Sequence, residues 1–243
     1  MHGWGGSIDS FLGIAKFIGK KYRVTLVDFY GFGKTPHPDF PLFVEDYAIS
    51  VVNLIRKYKM TRVTVVGHSF GGRVAIRLAS KYGYLIDSIV LVDSAGLKPR
   101  RNMVYYCKVF RHKLLNKLKI AHKAGSADYQ ALKGVEKQTF KNVVNEDLTP
   151  ELNKITLPTL IVWGDKDRDT PIYMARRMRR KIRNSGLIIF EGAGHFAYLE
   201  GHKQFVSILT NFLSDGGYEM GSGGIGMCAN RCRTIKIPVA LSK

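Results

Sequence analysis

A chain of 243 residues with 45% hydrophobic side chains is long enough for one domain built around a single sizeable core. No run is apolar and long enough to cross a bilayer as a helix, and no charged stretch followed by an apolar one opens the chain, so a cytoplasmic rather than an exported protein is expected. Three cysteines, Cys107, Cys228 and Cys232, offer no disulfide framework and no zinc-ligand spacing, and the formal net charge is +19.

Residues 7–22 have the spacing of an amphipathic helix, Arg23 to Tyr30 reads as a strand ending at Asp28, and residues 42–59 read as a helix after the Pro36-His37-Pro38 turn. Arg62 to Gly67 is a β-branched run that predicts a buried strand, followed by a helix over 71–82 and another strand over 87–93. Residues 97–155 break this alternation and read as helical, basic and tyrosine-bearing. Pro158 to Trp163 and Leu187 to Phe190 predict two more strands, with a helix over 171–183 between them. Beyond Asp215 glycines dominate and flexibility is expected, although Thr234 to Ile237 is strand-like. Strands alternating with helices predict an α/β fold with a mostly parallel sheet covered on both faces. Four parts follow: core residues 1–96, a helical insertion over 97–155, core residues 156–215 and a tail over 216–243.

The stretch Gly67-His68-Ser69-Phe70-Gly71 lies directly between a predicted strand and a predicted helix. In that context G-x-S-x-G holds a serine on a sharp turn with its hydroxyl exposed, and the glycines suit a place where two backbones come too close for a Cβ. A serine hydroxyl needs a base, and the base needs a third group to fix its tautomer. The base candidate is His195, after the strand-like Leu187 to Phe190 and a loop with Gly192 and Gly194. His112 and His122 lie in the basic insertion, His37 and His202 read as solvent-facing, and His2 and His68 flank the motifs but are badly placed to act as base. Acid candidates are Asp165, Asp167 and Asp169, in the loop after Pro158 to Trp163; spacing alone does not choose among them. Two N–H groups are expected to stabilise an oxyanion. One is that of Phe70, at a helix N-terminus; the other is that of Trp4, in the glycine-rich His2-Gly3-Trp4-Gly5-Gly6.

These motifs, together with Asp28-Phe29-Tyr30-Gly31-Phe32-Gly33 and Gly164-Asp165-Lys166-Asp167, resemble the α/β-hydrolase fold family over His2 to about Leu213. The resemblance implies a nucleophile at Ser69, a base at His195 and an acid at Asp167, the second aspartate of the G-[DE]-x-D pattern. It implies an oxyanion hole at Trp4 and Phe70, and a cap over 97–155 that would shape the substrate pocket. Arg100, Arg101 and Tyr105 are candidates for substrate contact there. Serine at position 69 sets aside the branches that use an aspartate nucleophile. Meta-cleavage carbon–carbon hydrolases usually carry asparagine where this chain has His68, which favours ester or thioester hydrolysis.

The resemblance also implies strands before the His2-Gly3 loop, one of them between 23–30 and 62–67. With Met1 where it is, a gap in the sheet and a shortened N-terminus are expected; Thr234 to Ile237 is a candidate to fill the gap from the far end of the chain.

The leading expectation is a serine hydrolase acting on a small ester-like or thioester substrate through an acyl-enzyme, with no metal and no organic cofactor. The alternatives are carbon–carbon bond hydrolysis and a non-catalytic ligand-binding protein on the same scaffold. The positive charge concentrates in Arg176 to Lys181 with Arg183 and in residues 98–123. It would suit an anionic substrate or an acidic surface, but a solvated helical face is the preferred reading for 171–183. Aromatic interleaving is confined to Tyr105, Tyr106 and Phe110, and no motif for specific nucleic-acid binding is present.

Overall fold

A computed structural model describes residues 1–99, 132–214 and 234–239. Among the described residues five strands form one all-parallel sheet in the order β1-β2-β3-β4-β5: β1 Thr64–His68, β2 Ser88–Val92, β3 Thr159–Gly164, β4 Ser185–Glu191 and β5 Thr234–Pro238. Strands β2 and β3 are buried at every position. That is the signature of a parallel sheet with both faces covered, and it explains why their sequences are continuous apolar runs rather than alternating ones. The register sets His68 beside Val92 and Val92 beside Val162, so these strands end along one rim. Loops leaving that rim are thereby brought together.

Helices α2 (Val44–Lys57), α3 (Phe70–Lys81) and α5 (Tyr173–Lys181) cover one face of the sheet; α1 (Leu12–Ile18) and α7 (His202–Ser214) cover the other. In α2 the buried side chains are Val44, Tyr47, Ala48, Val51, Val52 and Ile55, spaced to make one stripe of a 3.6-residue helix. Its first turn carries Glu45 and Asp46 and its last turn Arg56 and Lys57, matching the helix dipole at both ends. The Asp46 carboxylate also accepts the Phe43 N–H at 2.7 Å. The basic helix α5 buries Met174, Ala175 and Met178 and exposes Arg176 and Arg180, so much of its charge faces solvent.

Within the insertion, residues 100–131 lie outside the described part, which contains helix α4 (Gly134–Asn145) and a short 3-10 turn, Glu151–Lys154. Helix α4 and its exit are held to the serine-bearing helix α3. Arg73 donates to the carbonyls of Glu146 (2.9 Å) and Val144 (3.3 Å), and Arg77 pairs with the carboxylates of Glu146, Glu45 and Glu151. Both arginines are buried, so removing one partner would strand charge away from water.

Three sequence expectations need revision. Residues 7–22 form a 3-10 turn (Ile8–Phe11) and then α1, not one helix. Residues 23–30 form no strand, because the extended chain there has no ladder partner among the described residues. Thr234–Pro238 is indeed a strand, but it pairs with β4 at the opposite edge of the sheet and not in the gap beside β1. The tail is therefore not uniformly flexible; its other residues, 216–233 and 240–243, lie outside the described part.

The expected gap is present. A cavity of about 460 Å³ separates residues 22–27 from β1, lined among others by Met1, Leu26, Val51, Ile55, Val66 and Leu213. Met1 closes its upper end with two bonds of the parallel-ladder kind: its nitrogen donates to Val66 O at 2.9 Å, and His68 N–H donates to Met1 O at 3.1 Å. Ladder alternation turns the N–H groups of Thr64 and Val66 toward this cavity, since those of Ser69 and Asp87 serve the β1–β2 ladder. In a hydrogen-exchange experiment the Thr64 and Val66 amides are expected to exchange orders of magnitude faster than those of Val65 and Gly67. Equal protection along β1 would contradict an open edge.

Candidate active site

At the end of β1 the chain reverses within one residue. Ser69 has φ +49° and ψ −108°, a backbone conformation that costs a non-glycine residue roughly 1–3 kcal/mol. The turn needs glycines on either side. A Cβ at Gly67 would stand 2.3 Å from Gly71 O, and one at Gly71 would stand 2.6 Å from Met1 O. The strained residue is held by its own backbone: Ser69 N–H donates to Val92 O at 3.0 Å, and Ser69 O accepts the N–H groups of Gly72 and Ala95, each at 3.0 Å. Its hydroxyl is left projecting from the rim.

Opposite it stands His195. Its Nε2 lies 3.0 Å from Ser69 Oγ and its Nδ1 lies 2.9 Å from Asp167 Oδ2. The carboxylate accepts only, so the proton sits on Nδ1 and the Nε2 lone pair receives the serine hydroxyl. Asp167 is buried and heavily hydrogen-bonded. Oδ2 also accepts the Thr170 hydroxyl at 2.6 Å, and Oδ1 accepts the N–H groups of Asp169 (2.8 Å) and Thr170 (2.9 Å). Burial alone would push this carboxyl up, but the hydrogen bonds from His195 and Thr170 together outweigh it and leave the pKa below its ordinary value.

The two neighbouring aspartates serve other ends. Asp165 accepts the Gly192 N–H at 2.7 Å and steadies the histidine loop, while Asp169 is exposed. Ligand atoms of Asp167, Asp169 and His195 lie within 4.8 Å of one another. His195 Nδ1 carries its proton toward Asp167, however, so it has no lone pair to give a cation.

The His2–Gly6 loop packs directly on the serine: a Cβ at Gly3 would meet Ser69 Cβ at 3.3 Å. Phe70 opens α3, so its N–H has no partner within its own helix. The Trp4 ring makes edge-to-face contacts with Phe32, Phe70 and Phe140, at centroid distances of 4.9, 5.3 and 5.0 Å, and so links this loop to α4. Arg100, Arg101 and Tyr105 lie outside the described residues.

The remaining described histidines fill structural positions. His2 is buried, donating from Nδ1 to Gly3 O (2.7 Å) and accepting the Phe29 N–H at Nε2 (3.3 Å). His37 is not solvent-facing as its sequence setting suggested: it is half-buried and reaches Thr139 on α4 at 3.0 Å. His202 is half-buried as well. His68 is 2% exposed, stacks near Tyr198, Phe196 and His195, and bonds through Nε2 to the His195 carbonyl at 2.8 Å. Burial pushes its pKa down to about 3, so the ring is neutral and Nε2–H is the donor.

One participant was not legible in the sequence. Asp93 follows β2 and is fully buried, with φ +42°. Its Oδ1 accepts the Gly164 N–H at 2.8 Å and its Oδ2 the Ala197 N–H at 3.1 Å. Burial pushes this carboxyl well above the usual range; the charge of Asp167 adds to the rise and the two N–H donors oppose it. An aspartate ending an apolar strand is the only local signal it gives, and its partners lie 71 and 104 residues away.

The chain belongs to the alpha/beta hydrolase family, whose model matches residues 1–208. It is 25% identical to the Bacillus subtilis hydrolase YugF over 240 residues, covering 88% of each chain. It is also 25% identical to a 2-hydroxy-6-oxo-6-(2'-aminophenyl)hexa-2,4-dienoic acid hydrolase of Metapseudomonas resinovorans, covering 88% of this chain and 82% of that one. Among solved structures, a bacterial membrane phospholipase A superposes with a TM-score of 0.72 at 26% identity, covering 88% of this chain and 77% of that one. An esterase from Exiguobacterium antarcticum superposes with a TM-score of 0.71 at 24% identity, over 88% and 90% of the two chains. The protein is a hydrolase.

The neutral His68 ring carries a pH signature. Its folded pKa of about 3 lies below the ordinary 6.5, so the stability this gives is present above pH 6.5 and is lost as pH falls toward 3. Each pH unit in that window costs on the order of 1 kcal/mol. A His68→Gln variant, whose amide can still donate to the His195 carbonyl, is expected to unfold with a shallower acid limb in urea titrations across this range. An identical acid limb would contradict a buried neutral ring.

Proposed function

We propose that this hydrolase cleaves carboxylic esters or thioesters through an acyl-enzyme, with Ser69 as nucleophile, His195 as general base and then general acid, and Asp167 as the group that orients the imidazole. The carrying observation is the continuous Ser69–His195–Asp167 hydrogen-bond line, with steps of 3.0 and 2.9 Å. Ser69 Oγ attacks the carbonyl carbon while its proton passes to His195 Nε2. The imidazolium, stabilised by Asp167, then hands that proton to the leaving alcohol or thiol. Water activated by the same nitrogen releases the acid and regenerates the serine. The N–H groups of Phe70 and Trp4 receive the oxyanion, the former aided by the positive end of α3. The likeness to an esterase and a phospholipase A supports a small ester substrate. The net charge of +19 favours an anionic one, and a cytoplasmic setting fits the absence, among the described residues, of any helix able to span a membrane. In this reading residues 97–155 act as a cap, with Trp4 and Phe140 in contact at its inner side.

Carbon–carbon hydrolysis is the second reading, favoured by the Metapseudomonas relative. The same serine would then work on a dienoate ketone.

Replacing Ser69 with Ala is expected to lower kcat/KM on p-nitrophenyl acetate by about 10⁴-fold or more, and to abolish labelling by a fluorophosphonate probe. Turnover by the variant at the parent rate would overturn the serine mechanism. A parent protein that resists the probe would point to a ligand-binding protein instead. Faster turnover of a 2-hydroxy-6-oxo-dienoate than of any ester would favour the second reading.

A further inference from the structure

We propose that Asp93 is a positioning residue whose buried carboxylate sets the spacing between the loop that carries Asp167 and the loop that carries His195. Gly164 is the last residue of β3 and leads into the Asp167 loop; Ala197 stands two residues after His195, at the first position of α6 (Ala197–Glu200). One carboxylate accepts an N–H from each, at 2.8 and 3.1 Å. Two converging N–H donors require two acceptor oxygens. Among side chains close to this size only a carboxylate supplies them, since an amide would turn its own N–H₂ against one of the donors.

The tie lies beneath the point where the loops cross. Gly164 packs so closely that a Cβ there would stand 2.2 Å from Gly194 O, and Lys166 N–H donates to Ala193 O at 2.9 Å. The Asp93 carbonyl lies 3.1 Å from the Thr170 hydroxyl, and Thr170 also contacts Asp167. The residues flanking Asp93 reach the serine as well, through Val92 O to Ser69 N–H and Ala95 N–H to Ser69 O. One short turn thus touches all three of the loops that present Ser69, Asp167 and His195. A fully buried carboxylate is costly to keep in a core, and at this place it fixes a distance that proton transfer must hold to a fraction of an ångström.

The inference rests on the proposed hydrolytic roles for its effect on rate, but the tie itself is read independently of turnover. In the full chain, Asp93→Asn is expected to shift or broaden the far-downfield proton resonance of His195 Nδ1–H. It should also lower kcat on p-nitrophenyl acetate by about 10²-fold while KM changes by less than about threefold. A resonance left at the parent position, whatever the rate, overturns the proposal. A moved resonance without any change in kcat leaves the tie standing and counts against the hydrolytic roles. Should the variant fail to fold, amide exchange on the parent protein decides: Gly164 and Ala197 protected as strongly as Val162 supports the tie, and rapid exchange at either overturns it.

Discussion

The 2.9 Å bond between His195 and Asp167 depends on two loops crossing with their backbones in contact. Gly164 permits it by having no side chain, since a Cβ would collide with the carbonyls of Ala193 and Gly194. The parallel register permits it by ending β3 and β4 side by side, with Gly164 opposite Phe190. Asp165 and Asp93 then fasten the crossing, the first through Gly192 and the second through Gly164 and Ala197. A hydrogen bond between two long loops in water would be too weak to hold such a geometry; here it is the last member of a set formed against buried backbone.

The serine is held in the same way. Its strained φ survives because four backbone contacts over-determine it: Val92 O on one side, and the N–H groups of Gly72, Arg73 and Ala95 on the other. Strain and support therefore lie on different residues, with Ser69 bearing the conformational cost and the end of β2, the turn after it and the first turn of α3 supplying the bonds. The buried cluster of Arg73 and Arg77 extends this logic outward, tying the exit of α4 to the helix that begins at the serine. Trp4 makes the corresponding link on the other side, between the His2–Gly6 loop and Phe140.

The open edge of β1 runs up to Met1, which packs against the serine turn. The Thr64 and Val66 N–H groups face a cavity instead of a neighbouring strand, and residues 23–30 run past as extended chain with no ladder among the described residues. Strand β5 makes the point from the far side. A strand-like sequence joined the sheet where an edge met it in register, beside β4, and left the cavity beside β1 unfilled. Strand propensity in Thr234–Pro238 specified the conformation, and pairing with β4 specified the edge.

Local sequence by itself determined the fold class, the rim that carries the loops, and the serine and histidine that meet there. Each of these follows from short-range pattern: continuous apolar runs for buried parallel strands, G-x-S-x-G for the turn, and a glycine-flanked histidine after a strand. Three aspartates in one loop looked alike to spacing, and resemblance to a family was needed to prefer Asp167. Tertiary structure distinguishes them because one is buried against an imidazole, one caps the histidine loop and one is exposed. Tertiary structure alone brought in Asp93, revealed that Arg23 to Tyr30 lacks a ladder partner, and sent β5 to the far edge. These outcomes depend on partners 47 or more residues away, or on the absence of a neighbour among the described residues. A strand or a buried carboxylate is defined by what lies beside it in space, and periodicity along the chain carries no record of that.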